Sequence, residues 1–156
     1  MKKITSFIMV IILMIGLVGC TPFRNSSLEK KFSFSGEIEN VQVSKGIAII
    51  GGKNEKFNGG QLKITDPNKT DFTKYEMTFY VLNGEERWTI LSNKVEHLDD
   101  TIELKELEIG EITGQVLNTN MDENQFKENL YFELITTDEK GNTSTYTVPM
   151  EVKEEA

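Results

Sequence analysis

Cys20 is the only thiol in the chain and His97 the only imidazole, so the two side chains that most often carry nucleophilic, acid–base or metal chemistry are each present once. A lone histidine excludes a multi-histidine metal site, and any base–nucleophile pair would have to draw on His97. That residue stands in Glu96-His97-Leu98-Asp99-Asp100, a polar link between two strand-like runs, and reads as an exposed loop residue rather than a catalytic base. No Gly-x-Ser-x-Gly nucleophile elbow occurs. Asp and Glu together number 25, so a convergent carboxylate pair of the glycosidase kind is open on spacing alone, yet no two acids are singled out. Asp66-Pro67-Asn68-Lys69-Thr70-Asp71 begins like a calcium loop, but Asp71 occupies the sixth position, where Gly is needed, and Met77 the twelfth, where Glu is needed. That excludes an EF-hand. Looser calcium ligation by Asp66, Asn68 and Asp71, or by Asp122 and Glu123, competes with a plain role for these side chains in turns. The expectation is no catalytic residue, no cofactor-binding residue, no cofactor and no metal ligand.

Cys20 is different, because its surroundings prescribe a chemistry. Lys2 and Lys3 precede an apolar run over residues 4–18, and small Gly19 stands directly before the cysteine, which is the layout of an export signal with a small-residue cleavage site. The run is 15 residues long and interrupted by Thr5, Ser6 and Gly16, whereas spanning a bilayer takes roughly 20 predominantly apolar residues. Leu17-Val18-Gly19-Cys20 resembles the lipobox of bacterial lipoproteins. The resemblance implies that the thiol is diacylglycerylated, that the leader is cut between Gly19 and Cys20, and that Cys20 becomes the new N-terminus. It also takes Cys20 out of consideration as a catalytic thiol. One cysteine forms no internal bridge, so the exported fold has to stand on its hydrophobic core.

Processing of residues 1–19 would leave 137 residues, one domain's worth, and shift the formal charge from −8 to −10. Such an acidic domain is a poor partner for nucleic acid, anionic headgroups or polyanionic wall polymers. Residues 20–31 read as a short tether. Acyl chains contribute about 0.8 kcal/mol per buried methylene, so two or three of them on Cys20 would retain the domain close to the bilayer.

Residues 32–153 read as one β-domain, strand after strand with Gly, Asn and Asp at the breaks and no long helical stripe. Phe32 and Phe34 share a face, while Val41 and Val43 take the opposite parity, which predicts a bulge near Gly36 or Asn40. Residues 47–50 read as a separate short strand. Gly51-Gly52 and Gly59-Gly60 bracket a loop with Phe57 either exposed for binding or folded back on a sheet edge, and no Gly-Lys-Ser/Thr makes it a phosphate cradle. Tyr75, Met77, Phe79 and Val81 alternate as in a central strand, and Asn83-Gly84 predicts a tight hairpin with positive dihedrals into residues 86–91, sending Trp88 and Ile90 to the core. Ile102, Leu104, Leu107, Ile109 and Ile112 change parity around Lys105-Glu106, which predicts a second bulge or a sheet-crossing strand. A helical turn is expected over 120–129, capped by Asn120 or Asp122, and Pro149 in the last strand predicts an edge or a bulge. Tyr75, Tyr80, Trp88, Phe126, Tyr131 and Tyr146 serve either as core groups or as an aromatic recognition patch.

This pattern predicts an all-β fold, an immunoglobulin-like antiparallel β-sandwich behind the N-terminal signal peptide. Phe32-Ser33-Phe34-Ser35-Gly36-Glu37, Gly60-Gln61-Leu62-Lys63-Ile64 and the turn over residues 138–142 resemble small immunoglobulin-like lipoproteins of Bacillus-type bacteria, mostly of unknown function. The chain has Val41 where that pattern often carries a tryptophan. The function expected is that of a non-catalytic binding module at the extracytoplasmic face of a bacterial cell membrane. It would be held there through lipid on Cys20 and would engage an envelope protein or an extracellular ligand. The alternative is an anchored hydrolase, or a metal- or ligand-capture protein, working through an acidic pocket.

Overall fold

Alternation of apolar and polar residues builds the first hairpin. In β1 (Lys30–Ile38) Phe32 and Phe34 are buried while their neighbours are not, and in β2 (Val41–Ile50) Val41, Val43, Ala48 and Ile50 go inward. The β1–β2 register shifts between Phe34 and Gly36, which is the expected bulge. Residues 47–50 are not a separate strand, since β2 runs unbroken to Ile50. This computed structural model describes residues 28–52, 54–65, 71–96, 102–103, 106–117 and 121–155.

The bracketed loop is a correction to the sequence reading. It contains β3 (Glu55–Asn58), with Phe57 fully buried, followed after Gly59-Gly60 by β4 (Gln61–Ile64). Both pair with β2 in one continuous register, Ile47 opposite Asn58 and Ser44 opposite Gln61. Further along come β5 (Asp71–Phe72), β6 (Lys74–Asn83), β7 (Glu86–Val95), β8 (Ile102–Glu103), β9 (Glu106–Glu108) and β10 (Glu111–Gly114). β9 lies against β4 and β10 against β3, again in one register, broken at Gly110. The parity change expected at Lys105-Glu106 falls on residues outside those described. Its visible counterpart is the break between β9 and β10, which buries Ile109 and leaves Ile112 exposed.

Lys45-Gly46, Gly59-Gly60 and Ile109-Gly110 thus stand side by side on three neighbouring strands. Gly59 N–H donates to Gly110 O at 2.9 Å and Ile109 N–H to Gly60 O at 3.0 Å, so the ladder bends here without losing its bonds. Gly60 takes φ +73°, a conformation costly for any residue with a Cβ, and a Cβ there would meet the Ser44 carbonyl oxygen and, at 2.6 Å, Gly46 N. Gly46 in turn lies flat against the Phe34 ring.

The second sheet is built on β6, whose Tyr75, Met77, Phe79 and Val81 enter the core. Its order is β12-β11-β6-β7, with β11 (Leu130–Thr137) and β12 (Thr143–Pro149) forming the second hairpin. The Asp138 carboxylate closes that hairpin, accepting from Lys140 N–H at 2.9 Å and from Asn142 N–H and Nδ2 at 2.8 Å each; the Asn142 side chain first, then its backbone, hold the Asp138 carboxyl below the usual range. Past Pro149 the chain crosses to the first sheet as β13 (Glu151–Glu154), which pairs with β1. The result is an all-β sandwich of two antiparallel sheets, with β5 and β8 as a separate short pair. The described strands span residues 30–154.

Between the sheets the phenylalanines form a ladder. Phe34 and Phe57 from the first sheet lie 5.0 Å apart, Phe57 meets Phe79 edge-on at 5.0 Å, and Phe79 meets Phe132 at 4.9 Å. Helix α1 (Glu123–Asn129) closes one end of this core with Phe126. Asp122 is the cap, in a reciprocal box in which its carboxylate accepts from Gln125 N–H at 2.8 Å and Gln125 Oε1 accepts from Asp122 N–H at 3.1 Å. Gln125 Nε2 also donates to Asn83 Oδ1 at 2.9 Å, tying the helix to the β6–β7 hairpin.

That hairpin refines the expected turn. Asn83 pairs with Glu86, so the two loop residues are Gly84 and Glu85, and only Gly84 has positive φ, at +63°. Glycine at the first loop position marks a type II′ turn, rather than the type I′ that positive dihedrals at both Asn and Gly would imply. No heavy atom lies within 4 Å of where a Gly84 Cβ would stand, so the requirement is conformational alone. Gly84→Val should therefore cost roughly 1–2 kcal/mol through turn strain, read as a lowered urea midpoint at unchanged slope. An unchanged midpoint would mean that the turn does not need the positive dihedral.

Candidate functional site

Sequence reasoning points to Cys20 and Gly19, and both lie outside the described residues, as do His97, Asp66 and Asn68. Asp71 begins β5. Of the second suggested calcium pair, Asp122 is spent on the helix cap, and Glu123 accepts from Lys30 Nζ at 2.6 Å. The Lys30 ammonium is held above its ordinary range chiefly by that hydrogen bond. A cleft of about 380 Å³ adjoins these two acids, lined also by Ile50, Gly51, Leu117 and Met121. It is the nearest approach to an acidic pocket among the described residues, and both of its carboxylates are engaged with protein donors.

Glu55 is a feature that the sequence does not announce. It is buried at 2 % exposure, and its carboxylate accepts from Val116 N–H at 2.8 Å, Leu117 N–H at 3.0 Å and Gly51 N–H at 3.3 Å. Burial of a carboxylate is costly unless its lone pairs are satisfied, and backbone donors from two separate connections do that here. Glu55 works as a latch that fastens the connection between β2 and β3 to residues 116–117. Donation from three main-chain amides is the environment of a structural acid.

The aromatic patch divides between core and surface. Tyr75 and Phe126 are in the core, while Trp88 and Tyr146 pack against it half-buried, with Trp88 Nε1 donating to Glu86 at 3.2 Å. Ile90 is buried as expected. Tyr80 and Tyr131, by contrast, lie on the face of the second sheet turned away from the core, directly opposite one another on β6 and β11. Their rings stack at 5.6 Å with 15° between the planes. The Arg87 guanidinium from β7 covers Tyr80 at 3.8 Å from the ring centre and forks onto Glu133 of β11 at 2.9 and 3.4 Å.

Tyr80 is therefore only 4 % exposed although it is on an outer face. Burial pushes its phenol above the ordinary value, with Arg87 opposing, and the bond to Glu133 holds the guanidinium firmly charged. Around the cluster, Thr78 shares a hydrogen bond with Ser92 at 3.2 Å, and Thr89, Thr145 and Thr147 are exposed. The sequence does carry a signal for this cluster: Tyr80 breaks the polar side of an otherwise alternating strand. Its neighbours Arg87, Tyr131 and Glu133 become neighbours only through register. A fixed cation, a stacked aromatic pair and flanking hydroxyls make a surface able to hydrogen-bond and stack on a partner.

Among the described residues no group of three or more His, Cys, Asp or Glu side chains is placed to hold a metal ion, and no helix is long and apolar enough to cross a membrane. Comparison with protein-family models and with curated proteins finds no match.

Proposed function

We propose that the chain is a lipid-anchored, non-catalytic binding module, held through Cys20 at the extracytoplasmic face of a bacterial cell membrane, where its β-sandwich engages another envelope protein or an extracellular ligand. The observation that carries this reading is Leu17-Val18-Gly19-Cys20 at the end of the 15-residue apolar run behind Lys2 and Lys3. The geometry supports it in two ways. β1 begins at Lys30, so residues 21–29 alone would separate the sandwich from the bilayer, a reach of about 30 Å at most at ~3.3–3.6 Å per residue. The outer face of the second sheet carries the Tyr80–Tyr131–Arg87–Glu133 cluster, whose side chains hold one another in place and so lose little freedom on meeting a partner.

Local concentration is the physical core of the proposal. An anchored domain is confined to a thin layer beside its partner, and release forfeits that confinement. Exchange of residues 1–20 for a cleaved, non-lipidated export signal should therefore abolish the cellular role while the secreted domain remains folded, whereas His97→Ala should leave that role intact. In-cell crosslinking through the outer face of the second sheet should trap an envelope component with the anchored form and lose it with the released one. Full rescue by the released domain together with loss of function in His97→Ala would replace this reading with a catalytic one.

A further inference from the structure

β12 is a free edge of the second sheet, and its bonding pattern can be read from one contact. Met150 N–H donates to Leu130 O at 2.9 Å, so Ser144, Tyr146 and Val148, which share its parity, turn their main-chain groups toward β11. Thr143, Thr145 and Thr147 then point their N–H and C=O groups away from the sheet, and Pro149, with no N–H to offer, takes the next outward position. Thr143, Ser144, Thr145 and Thr147 are all exposed. Beside them runs an open groove of about 290 Å³, floored by Tyr146 and walled by Ile38, one of the few large apolar side chains left 37 % exposed.

Free edges invite strand addition, and the other edges in this fold are protected against it. β7 carries Glu86, Arg87 and Lys94 and is bulged opposite Phe79-Tyr80; β9 and β10 carry Glu106, Glu108 and Glu111 and break at Gly110; β13 carries Glu151, Lys153 and Glu154. Each would crowd like charges if laid against its own copy. The sequence of β12, Thr143-Ser144-Thr145-Tyr146-Thr147-Val148-Pro149, has no charge at all and favours strand.

We propose that β12 is a self-association edge, along which a second copy of this chain adds antiparallel to join two four-stranded sheets into one. Charge selects the occupant, because β12 is the one edge among the described strands whose own copy brings no like charges opposite one another. Hydrogen bonding selects the register. All three outward threonines find partners only when Thr145 faces Thr145 of the copy and Thr143 faces Thr147, which leaves Pro149 beyond the ladder. The two Ile38 side chains then flank the joined strands from the inner side. This pairing does not depend on the lipid anchor.

The register provides the test. Directly bonded antiparallel residues stand about 5.5 Å apart between Cα atoms, within disulfide range. Thr145→Cys in the full chain, oxidised in the producing cells, should give a reducible species of twice the chain mass, as should Thr143→Cys co-produced with Thr147→Cys. The parent chain, which has Cys20 alone, and Thr89→Cys on β7 should not. Thr145→Lys should abolish the double-mass product of an amine-independent crosslinker while leaving the circular dichroism spectrum unchanged. Thr145→Cys crosslinking no better than Thr89→Cys would overturn the proposal. So would an adduct of any mass other than twice the chain, because a foreign strand would then own the edge.

Discussion

Gly60→Ala should remove most of the stability of the sandwich, on the order of 3–5 kcal/mol of the 5–15 typical of a domain this size. Two costs add at this position. Holding a residue with a Cβ at φ +73° costs about 1–2 kcal/mol, and the methyl would press on the Ser44 carbonyl oxygen and Gly46 N, at a cost of about 1–3 kcal/mol. Those contacts are backbone, held by the β2 ladder, and cannot rotate aside as a side-chain tip can. Gly46→Ala should also be severe, because the Phe34 ring it would strike is stacked on Phe57 and wedged against Phe79. Phe34→Leu should partly rescue Gly46→Ala and leave Gly60→Ala as unstable as before. Urea titrations followed by Trp88 fluorescence decide the matter. A Gly60→Ala midpoint no lower than that of Gly84→Val would show that the bend across β2, β3–β4 and β9–β10 tolerates a side chain at its tightest point.

Cys20→Ser should convert a membrane-retained protein into one that is neither acylated nor cut at residue 20. The thiol is the acceptor of the lipid in the lipoprotein reading, and a serine hydroxyl is a far weaker nucleophile than a thiol. Intact mass should show the parent chain beginning at residue 20 with its acyl chains, and the variant with the leader still attached and no added lipid. Detergent-phase partitioning alone would not discriminate, since an uncleaved apolar leader also partitions, so the mass is the decisive reading. An unmodified Cys20, or a cut elsewhere, would remove the anchor from the proposed function.

The parts of this molecule that can be read from its sequence are those whose cause is local. Period-two alternation in residues 75–81, the parity change past Phe34, the cap at Asp122 and the edge position of Pro149 are each set by neighbours within a few residues. β3 escapes such a reading because its cause is remote. Its one apolar inward residue is Phe57, and Glu55, which looks like a loop carboxylate, is made compatible with burial by amides of residues 116 and 117. The turn at residues 83–86 is legible in its place but not in its type, because Asn-Gly signals a tight turn without saying which two residues occupy the loop. The chemistry behaves the same way. Cys20 is announced by the four residues that end with it, whereas the Tyr80–Arg87–Tyr131–Glu133 cluster exists only once three strands take their register.

The pairing of β1 with β13 has a consequence in time. Phe32 faces Glu154, so the first strand to be synthesised receives its outer partner last, and the crossing at Pro149-Met150 that joins the two sheets is made by almost the final residues of the chain. Contacts so far apart in sequence are slow to form, since the intervening chain must first be drawn in. A ribosome or a translocation channel that still holds the C-terminal end withholds the strand that closes the sandwich. Until then β1 keeps an open edge, and the nascent chain stays in the unfinished, threadable condition that passage through a narrow pore requires.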